Sequence, residues 1–266
     1  MNTQVDENTF RLVGADAIKS IDTLSGTTCK KLRVTGLKQE SFDYLIDVYG
    51  HQFEEIDFFK CPLVGDLSGL ESLDGIKSIS FYWNQLADRL WDLSKNKSLK
   101  SITLDDFTKL HSLEDLVSSE SIIDVSFGDR IWSTLILDSL EPLARIRNLR
   151  KLSFSAKKII DFRISPLAEI PKLEELDFPT NLFPTEKVAW LTARIGKKVT
   201  SSVLAPYRIF SKPISSGEKQ IDTFVIGKRK PSLDARLDAK KIEKYVEKFN
   251  HLTEYFIQNP SEAEPV

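Results

Sequence analysis

The sequence predicts an α/β fold: a solenoid with a parallel β-sheet on its concave face, capped at its C-terminal end by a strand pair and a helix. Three observations support this prediction. An apolar pattern recurs through residues 29–183, its strand-like segments alternate apolar and polar residues, and the period ends before two strand-like runs and one amphipathic stretch. A repeat that cannot bury its own apolar face must stack on its neighbours, so such a pattern favours a solenoid.

The repeat occurs seven times between Cys29 and Phe183. One copy reads Ile76-x-x-Ile79-x-Phe81-x-x-Asn84-x-Leu86, and the other copies keep most of these apolar positions. The copies begin 23 to 27 residues apart, at Cys29, Phe53, Ile76, Leu99, Ile122, Leu149 and Leu173. Positions 4 and 6 of each copy point to one face of an extended strand. Each copy therefore predicts one strand of a parallel sheet, followed by a short return segment.

This pattern resembles the leucine-rich repeat, L-x-x-L-x-L-x-x-N/C-x-L, with a period of about 23 residues. At position 9, where the repeat carries Asn or Cys, the sequence matches at Cys61, Asn84 and Asn181. It departs from the repeat at the same position where the chain carries Phe107, Arg130 and Lys157. The resemblance is to cytoplasmic bacterial leucine-rich-repeat proteins with a C-terminal extension of uncharacterised family. It implies a scaffold for protein interactions and no particular activity.

The pattern divides the chain into three parts. Residues 1–28 are expected to form an N-terminal cap, and residues 29–185 the seven repeats. Residues 186–266 are expected to form a C-terminal cap, with a helix at its start, strands at 203–210 and 221–226, and an amphipathic helix at about 233–258. A loop at 211–217 would join the two strands.

Composition excludes several classes of protein. The net charge is −2, although residues 186–266 hold 15 basic and 10 acidic side chains. The chain lacks the features of a signal peptide and any long apolar run, and its two cysteines do not make a disulfide framework. These features predict a cytoplasmic protein that does not contact membranes. No known catalytic or metal-binding motif is present, so the sequence predicts neither an enzyme nor a bound cofactor or metal.

The repeat register predicts a binding site on the concave face, where positions 3, 5, 7 and 8 are expected to lie. Phe59, Tyr82 and Trp83 fall on two adjacent repeats and have no folding role there, which is typical of binding anchors. Acidic residues fall beside them at five positions: Asp57, Asp105, Asp106, Asp124 and Asp129. The partner predicted from this patch is a protein with an apolar anchor and a basic surface.

The sequence leaves other functions open. An immunity-type inhibitor that binds a toxin would be one form of the scaffold. The aromatic rings could instead be covered by a cap, a return loop or a second copy of the chain. Asp105, Asp106 and Asp129 could hold a cation. In a different alternative, the basic run Lys228-Arg229-Lys230 binds nucleic acid or an acidic partner, and the repeats only support it.

Overall fold

The structure, a computed structural model, describes residues 3–128 and 135–266. In chain order the strands are β1 (Thr3–Gln4), β2 (Thr9–Val13), β3 (Lys31–Thr35), β4 (Glu55–Phe59), β5 (Ser78–Asn84), β6 (Ser101–Phe107), β7 (Asp124–Gly128), β8 (Ile136–Leu137), β9 (Lys151–Phe154), β10 (Lys158–Ile159), β11 (Glu175–Asp177), β12 (Tyr207–Ser216), β13 (Lys219–Val225) and β14 (Ser232–Leu233). The helices are α1 (Ile18–Ile21), α2 (Gln39–Tyr49), α3 (Glu141–Ala144), α4 (Ser165–Ala168), α5 (Thr185–Ile195) and α6 (Ala239–Gln258).

A single long sheet runs through the described part of the repeats, in the order β1-β2-β3-β4-β5-β6-β7-β9-β11. From β2 onward every neighbouring pair is parallel, and the paired residues keep the repeat register, as in Ile56 opposite Ile79 and Phe58 opposite Phe81. These strands follow one another in chain order. The structure thus confirms the predicted parallel-sheet solenoid.

The core follows from the alternation within each strand. Positions 4 and 6 of all seven predicted copies are buried, and so is position 1. Large rings at position 6 stack from strand to strand, with ring centroids 4.4 Å apart for Phe58 and Phe81 and 5.3 Å apart for Phe127 and Phe154. Leu104 lies between these two stacks, and return-segment residues such as Leu70 and Leu93 belong to the same core. The stacked rings favour this register of the strands.

The N-terminal segment contributes a rung that the repeat pattern did not predict. Strand β2 lies parallel to β3, with Phe10 opposite Leu32 and Leu12 opposite Val34. The equivalent of repeat position 1 in this segment is Glu7, two residues before Thr9, so the apolar pattern is incomplete there. Strand β1 then covers the outer edge of β2 in the antiparallel direction.

Buried polar side chains satisfy backbone groups in the turns. Asn84 Nδ2 donates to the carbonyls of Cys61 and Val64, and its Oδ1 accepts from the amides of Leu86 and Ala87. This is the role expected of position 9. The match to the repeat at Asn181 does not extend to this role, because Asn181 is exposed. At position 11 of two copies, Leu63 and Leu86 are exposed, whereas the residues that follow them, Val64 and Ala87, are buried.

The return segments are short, as expected. They comprise α1 to α4, five 3₁₀ turns at Asp22–Leu24, Gly50–Gln52, Ser68–Ser72, Leu93–Lys95 and Glu114–Ser118, and a small parallel pair formed by β8 and β10. Helices α3 and α4 are only four residues long, and each has a proline in its first turn. The missing amide of proline costs no hydrogen bond at that place.

The C-terminal cap contains the predicted hairpin and helix, with different bounds. Strand β12 extends through most of the segment predicted as a loop, and Ser216 pairs with Lys219 across a tight turn. Gly217 lies in this turn with a φ of 63°, a conformation that glycine adopts without strain. A third strand, β14, pairs with β13. Helix α6 begins at Ala239 rather than near Leu233, because residues 232–238 form β14 and a turn.

The last residues of the chain lie against α5 and α4. Glu264 forms an ion pair of 2.6 Å with Lys187 of α5, and both side chains are almost fully buried. Glu264 also accepts hydrogen bonds from the amides of Ile164 and Ser165, and Trp190 Nε1 donates to the carbonyl of Glu262. The end of the chain therefore contributes to the seal over the last repeat.

Candidate functional site

One face of the long sheet is turned away from the core and lies open. We call it the open face, and it corresponds to the predicted concave face. It carries positions 3, 5 and 7 of each strand, which alternate with the buried positions 4 and 6. Strand register brings equivalent residues side by side: position 7 reads Val13, Thr35, Phe59, Tyr82, Asp105 and Gly128 from β2 to β7. Neighbouring residues in such a ladder are about 4.8 Å apart.

Position 8, just after this ladder, has a left-handed backbone on five consecutive strands, from β2 to β6. The φ values are 68° at Gly14, 84° at Gly36, 53° at Lys60, 68° at Trp83 and 57° at Asp106. Glycine adopts this conformation without strain, whereas a residue with a Cβ is disfavoured by roughly 1–2 kcal/mol. Lysine, tryptophan and aspartate therefore occupy this position although glycine would be the least strained residue there.

The three predicted aromatic anchors lie together at this edge of the open face. The rings of Phe59 and Tyr82 are stacked, with centroids 5.0 Å apart and planes 11° apart. Phe59 is 43% exposed and Trp83 is 38% exposed. Between them lies a residue that the sequence did not single out: Lys60 Nζ is 5.4 Å from the Phe59 ring centroid and 5.9 Å from that of Trp83. The lysine thus makes cation–π contacts with both exposed rings.

A pocket of about 490 Å³ lies on the open face beside the stacked rings. Phe59 and Tyr82 form its apolar wall, and its polar wall includes Arg11, Arg33 and Asp105. A cleft of this size that combines aromatic walls with a few charged groups is typical of binding sites.

The predicted acidic residues are not equivalent in the structure. Asp57 is paired with Arg33, at 3.2 Å, and lies 4.0 Å from Lys31 Nζ. Asp105 is partly exposed and lines the pocket. Asp106 is only 6% exposed, so the expectation that position 8 places it on the surface is wrong. Asp129 lies outside the described residues.

Asp124 is also partly exposed on the open face, two strands beyond Tyr82. Burial raises the pKa of its carboxyl above the ordinary value, while the nearby ammonium of Lys151 acts in the opposite direction. Asp124 belongs to a second, more polar pocket of about 430 Å³, which Lys151, Glu175 and Arg208 also line.

Gly128 ends β7, the strand whose Asp124 lines the second pocket. Its φ is 134°, and a Cβ at this position would overlap the carbonyl oxygen of Ser155 on the next rung. The backbones approach so closely here that only glycine fits, and the position 7 ladder has no side chain on β7. The open face thus has an aromatic half from β2 to β6 and a polar half from β7 onward.

Sequence reasoning missed Arg11 and gave no role to Arg33 and Lys60. Arg11 lies opposite Arg33 in the register and belongs to the same pocket. Its rung was not recognised because the repeat pattern is incomplete before β3. Arg33 and Lys60 occur at repeat positions 5 and 8, so a search of those positions for cations as well as acids would have found them.

The basic run at the C-terminus is held against the solenoid. Lys228 Nζ lies 4.0 Å from the Phe162 ring centroid, and Lys230 Nζ lies 5.7 Å from that of Tyr245. The amides of Gly227 and Lys228 donate to carbonyls at the end of the last repeat, those of Thr180 and Phe183. These contacts give the run a structural role as part of the cap.

Residues 3–128 and 135–266 contain no group of three or more His, Cys, Asp or Glu side chains that could hold a metal ion. The cation site considered at Asp105, Asp106 and Asp129 includes a residue outside these ranges. Cys29 and Cys61 are buried and unpaired with each other, and burial raises the pKa of the Cys61 thiol. No helix in the described part of the chain is long and apolar enough to cross a membrane.

The strand order, the register and the buried positions 1, 4 and 6 define a solenoid of the leucine-rich-repeat kind. The chain matches no protein family and no curated protein. Among solved structures it is similar to the crystal structure of an internalin (inlF) from Listeria monocytogenes str. 4b F2365, with 14% sequence identity and a TM-score of 0.38. The match covers 70% of this chain and 62% of the internalin chain, so this chain spans less than two thirds of that protein's length. A similarity at this level transfers neither a partner nor an activity.

Proposed function

We propose that this chain is a protein-interaction scaffold that binds a partner on the open face, with Phe59, Tyr82 and Trp83 as apolar anchors. The observation that carries the proposal is the stacked pair Phe59–Tyr82, which lies at the surface beside a pocket instead of in the core. Exposed aromatic groups of this kind contribute most of the binding energy when a partner excludes water from them.

The backbone at Trp83 supports the same proposal. Its left-handed conformation disfavours any residue with a Cβ, and its side chain remains 38% exposed. A large exposed ring in a strained position does little for folding. Contact with a partner would explain why tryptophan occurs there.

The open face can also contact charged groups of the partner. Asp105 and Asp124 are partly exposed on the open face and can accept hydrogen bonds from basic side chains of the partner. Asp57 and Asp106 contribute less than the sequence predicts, because one is ion-paired and the other is buried. An immunity-type inhibitor remains one form of this function, and capture of a toxin as the partner would establish it.

The test is affinity capture from the source organism, followed by binding measurements with the purified partner. We expect Phe59→Ala and Trp83→Ala each to weaken binding by at least about tenfold, which corresponds to about 1.4 kcal/mol. Tyr255→Ala is the matched control, because Tyr255 is a 44% exposed aromatic residue on α6, outside the open face.

The proposal fails if both open-face variants keep wild-type affinity. It also fails if Tyr255→Ala weakens binding as much as they do, since the C-terminal cap would then carry the interaction. Thermal unfolding by circular dichroism must show that all three variants are folded.

A further inference from the structure

Cationic side chains collect at the N-terminal end of the open face. On β2, β3 and β4 and at position 8 after β4, this end carries the cations Arg11, Lys31, Arg33 and Lys60 and the carboxylates Glu55 and Asp57. Asp6 also lies near this end, because the amide of Asn8 and, more weakly, Arg33 lower the pKa of its carboxyl. The four cations thus exceed three carboxylates by one. The later strands carry Asp124 on β7 and Asp105 on β6, where Asp105 lines the pocket beside the stacked rings at the end away from Arg11.

The ion pairs show which cations remain available. Lys31 binds Glu55 at 2.7 Å, and Arg33 binds Asp57 at 3.2 Å. The Arg33 side chain is still 57% exposed. Arg11 is exposed, lines the aromatic pocket and forms no ion pair with a carboxylate in residues 3–128 and 135–266.

Building on the proposed function, we propose that the pocket beside Phe59 and Tyr82 receives an acidic segment of the protein partner. A carboxylate side chain of that segment binds Arg11 and Arg33, and a neighbouring apolar side chain covers the stacked rings. This chemistry differs from the basic partner that the sequence predicts, and it applies to the end of the face that carries the aromatic anchors.

The geometry specifies the spacing of the two groups in the partner. Arg33 and Phe59 are one strand apart across the sheet and two residues apart along it, because Arg33 is opposite Asp57 and Thr35 is opposite Phe59. Their Cα atoms are thus about 8 Å apart for strands with ordinary spacing and rise. In an extended segment, side chains at positions i and i+2 lie on one side and about 7 Å apart. An acidic residue two positions from an apolar residue fits both contacts.

The two arginines add orientation and charge selectivity that the aromatic wall alone does not provide. A guanidinium binds a carboxylate through two parallel hydrogen bonds, which fixes orientation as well as charge. A lysine at the same position of the segment would face Arg11 and Arg33 and be repelled. The pocket therefore discriminates by charge between segments that present the same apolar side chain.

The experiment uses three peptides with capped ends and the sequence Ser-Gly-Xaa-Ser-Phe-Ser-Gly, in which Xaa is Glu, Gln or Lys. Binding of each peptide to the full chain is measured by isothermal titration calorimetry at two salt concentrations. We expect the Glu peptide to bind at least about tenfold more tightly than the Lys peptide, with the Gln peptide between them. Higher salt should reduce the difference, since the arginines are exposed.

Two charge-reversal variants make the test specific. Arg11→Glu should reverse the preference, so that the Lys peptide binds more tightly than the Glu peptide. Arg147→Glu is the control, because Arg147 is exposed in the segment between α3 and β9 and does not line the pocket. It should leave the order of the three peptides unchanged.

The inference is overturned if the wild type binds the Lys peptide as tightly as the Glu peptide, if no peptide binds, or if both charge reversals have the same effect. The proposed function fails separately, when Phe59→Ala and Trp83→Ala do not weaken binding of the captured partner. If those variants weaken partner binding but the peptides show no charge preference, the scaffold proposal stands and the acidic segment is wrong.

Discussion

At the scale of single residues, the left-handed position 8 shows how function and folding can favour different side chains. The sheet imposes the same backbone geometry on Gly14, Gly36, Lys60, Trp83 and Asp106, and only the glycines are free of strain. Trp83 therefore allows the strain to be measured separately from the contacts of the indole ring.

We expect Trp83→Gly to have a free energy of unfolding about 1 kcal/mol higher than Trp83→Ala. Both variants lose the ring, but only alanine keeps a Cβ in the left-handed region. The control pair is Ser80→Gly and Ser80→Ala, at position 5 of the same strand. In an ordinary strand, the glycine variant is less stable than the alanine variant by roughly 0.5–1 kcal/mol. Denaturant unfolding should therefore give opposite signs for the glycine–alanine difference at the two positions, and the same sign at both would contradict the imposed geometry.

At the scale of elements, one buried carboxylate organises the junction between β13, β14 and α6. Asp234 accepts hydrogen bonds from the amides of Gln220, Arg236 and Leu237, and Asp238 of the same turn binds Lys219. The amide of Gln220 makes the largest contribution to lowering the pKa of Asp234, to about 2, against the opposing effect of burial. Helix α6 thus begins after Asp238 because Asp234 fixes the turn before it.

Asp234→Asn should lower the melting temperature at neutral pH, since an amide cannot accept all these hydrogen bonds. The pKa of Asp234 is lower in the folded chain than in the unfolded chain, so its charged form stabilises the fold fully above about pH 4. This contribution is lost as the pH falls toward 2. Melting curves from pH 7 to pH 2 should therefore converge for wild type and variant at the acid end. Asp88→Asn, at an exposed position, provides the comparison, and a constant gap across the whole range would contradict the role of the charge.

At the scale of the whole molecule, the C-terminal residues join the cap to the last repeat. Burial acts to raise the pKa of Glu264, but the hydrogen bonds from Lys187 and from the amides of Ile164 and Ser165 outweigh it and lower that pKa. Trp190 and Arg194 of α5 hold the same segment through the carbonyl of Glu262. The repeats and the cap are therefore expected to unfold together.

Glu264→Ala should reduce the free energy of unfolding by about 3–5 kcal/mol, because it leaves Lys187 buried without a carboxylate. The double variant Lys187→Met/Glu264→Leu removes both charges and keeps apolar volume, so it should be closer in stability to the wild type. Denaturant unfolding of the single and double variants measures the difference. Equal losses in both would show that packing of the tail, and not the ion pair, is responsible.

The sequence predicted the parts of the fold that depend on local alternation. Buried Ile and Phe residues at positions 4 and 6 gave the strand register, and Asn84 gave the turn. The first rung could not be predicted, because Glu7 stands where the repeat requires an apolar residue. The charge state of the site could not be predicted either, since Asp57 is paired with Arg33 across 24 residues of chain. The burial of Asp106 also could not be predicted, because the same repeat position is exposed at Trp83.

Gly128 affects how mutations can change the affinity of the open face for a partner. Because the backbones of β7 and the next rung nearly touch, side chains on the aromatic half of the open face and on the polar half have no position 7 neighbour between them. Tyr82 and Lys151 are three strands apart across the sheet and four residues apart along it, about 20 Å in all, a distance at which the effects of two substitutions usually add. Mutations in one half of the face can thus change its contacts with a partner without changing the contacts of the other half. The affinity for each end of a partner can therefore evolve separately.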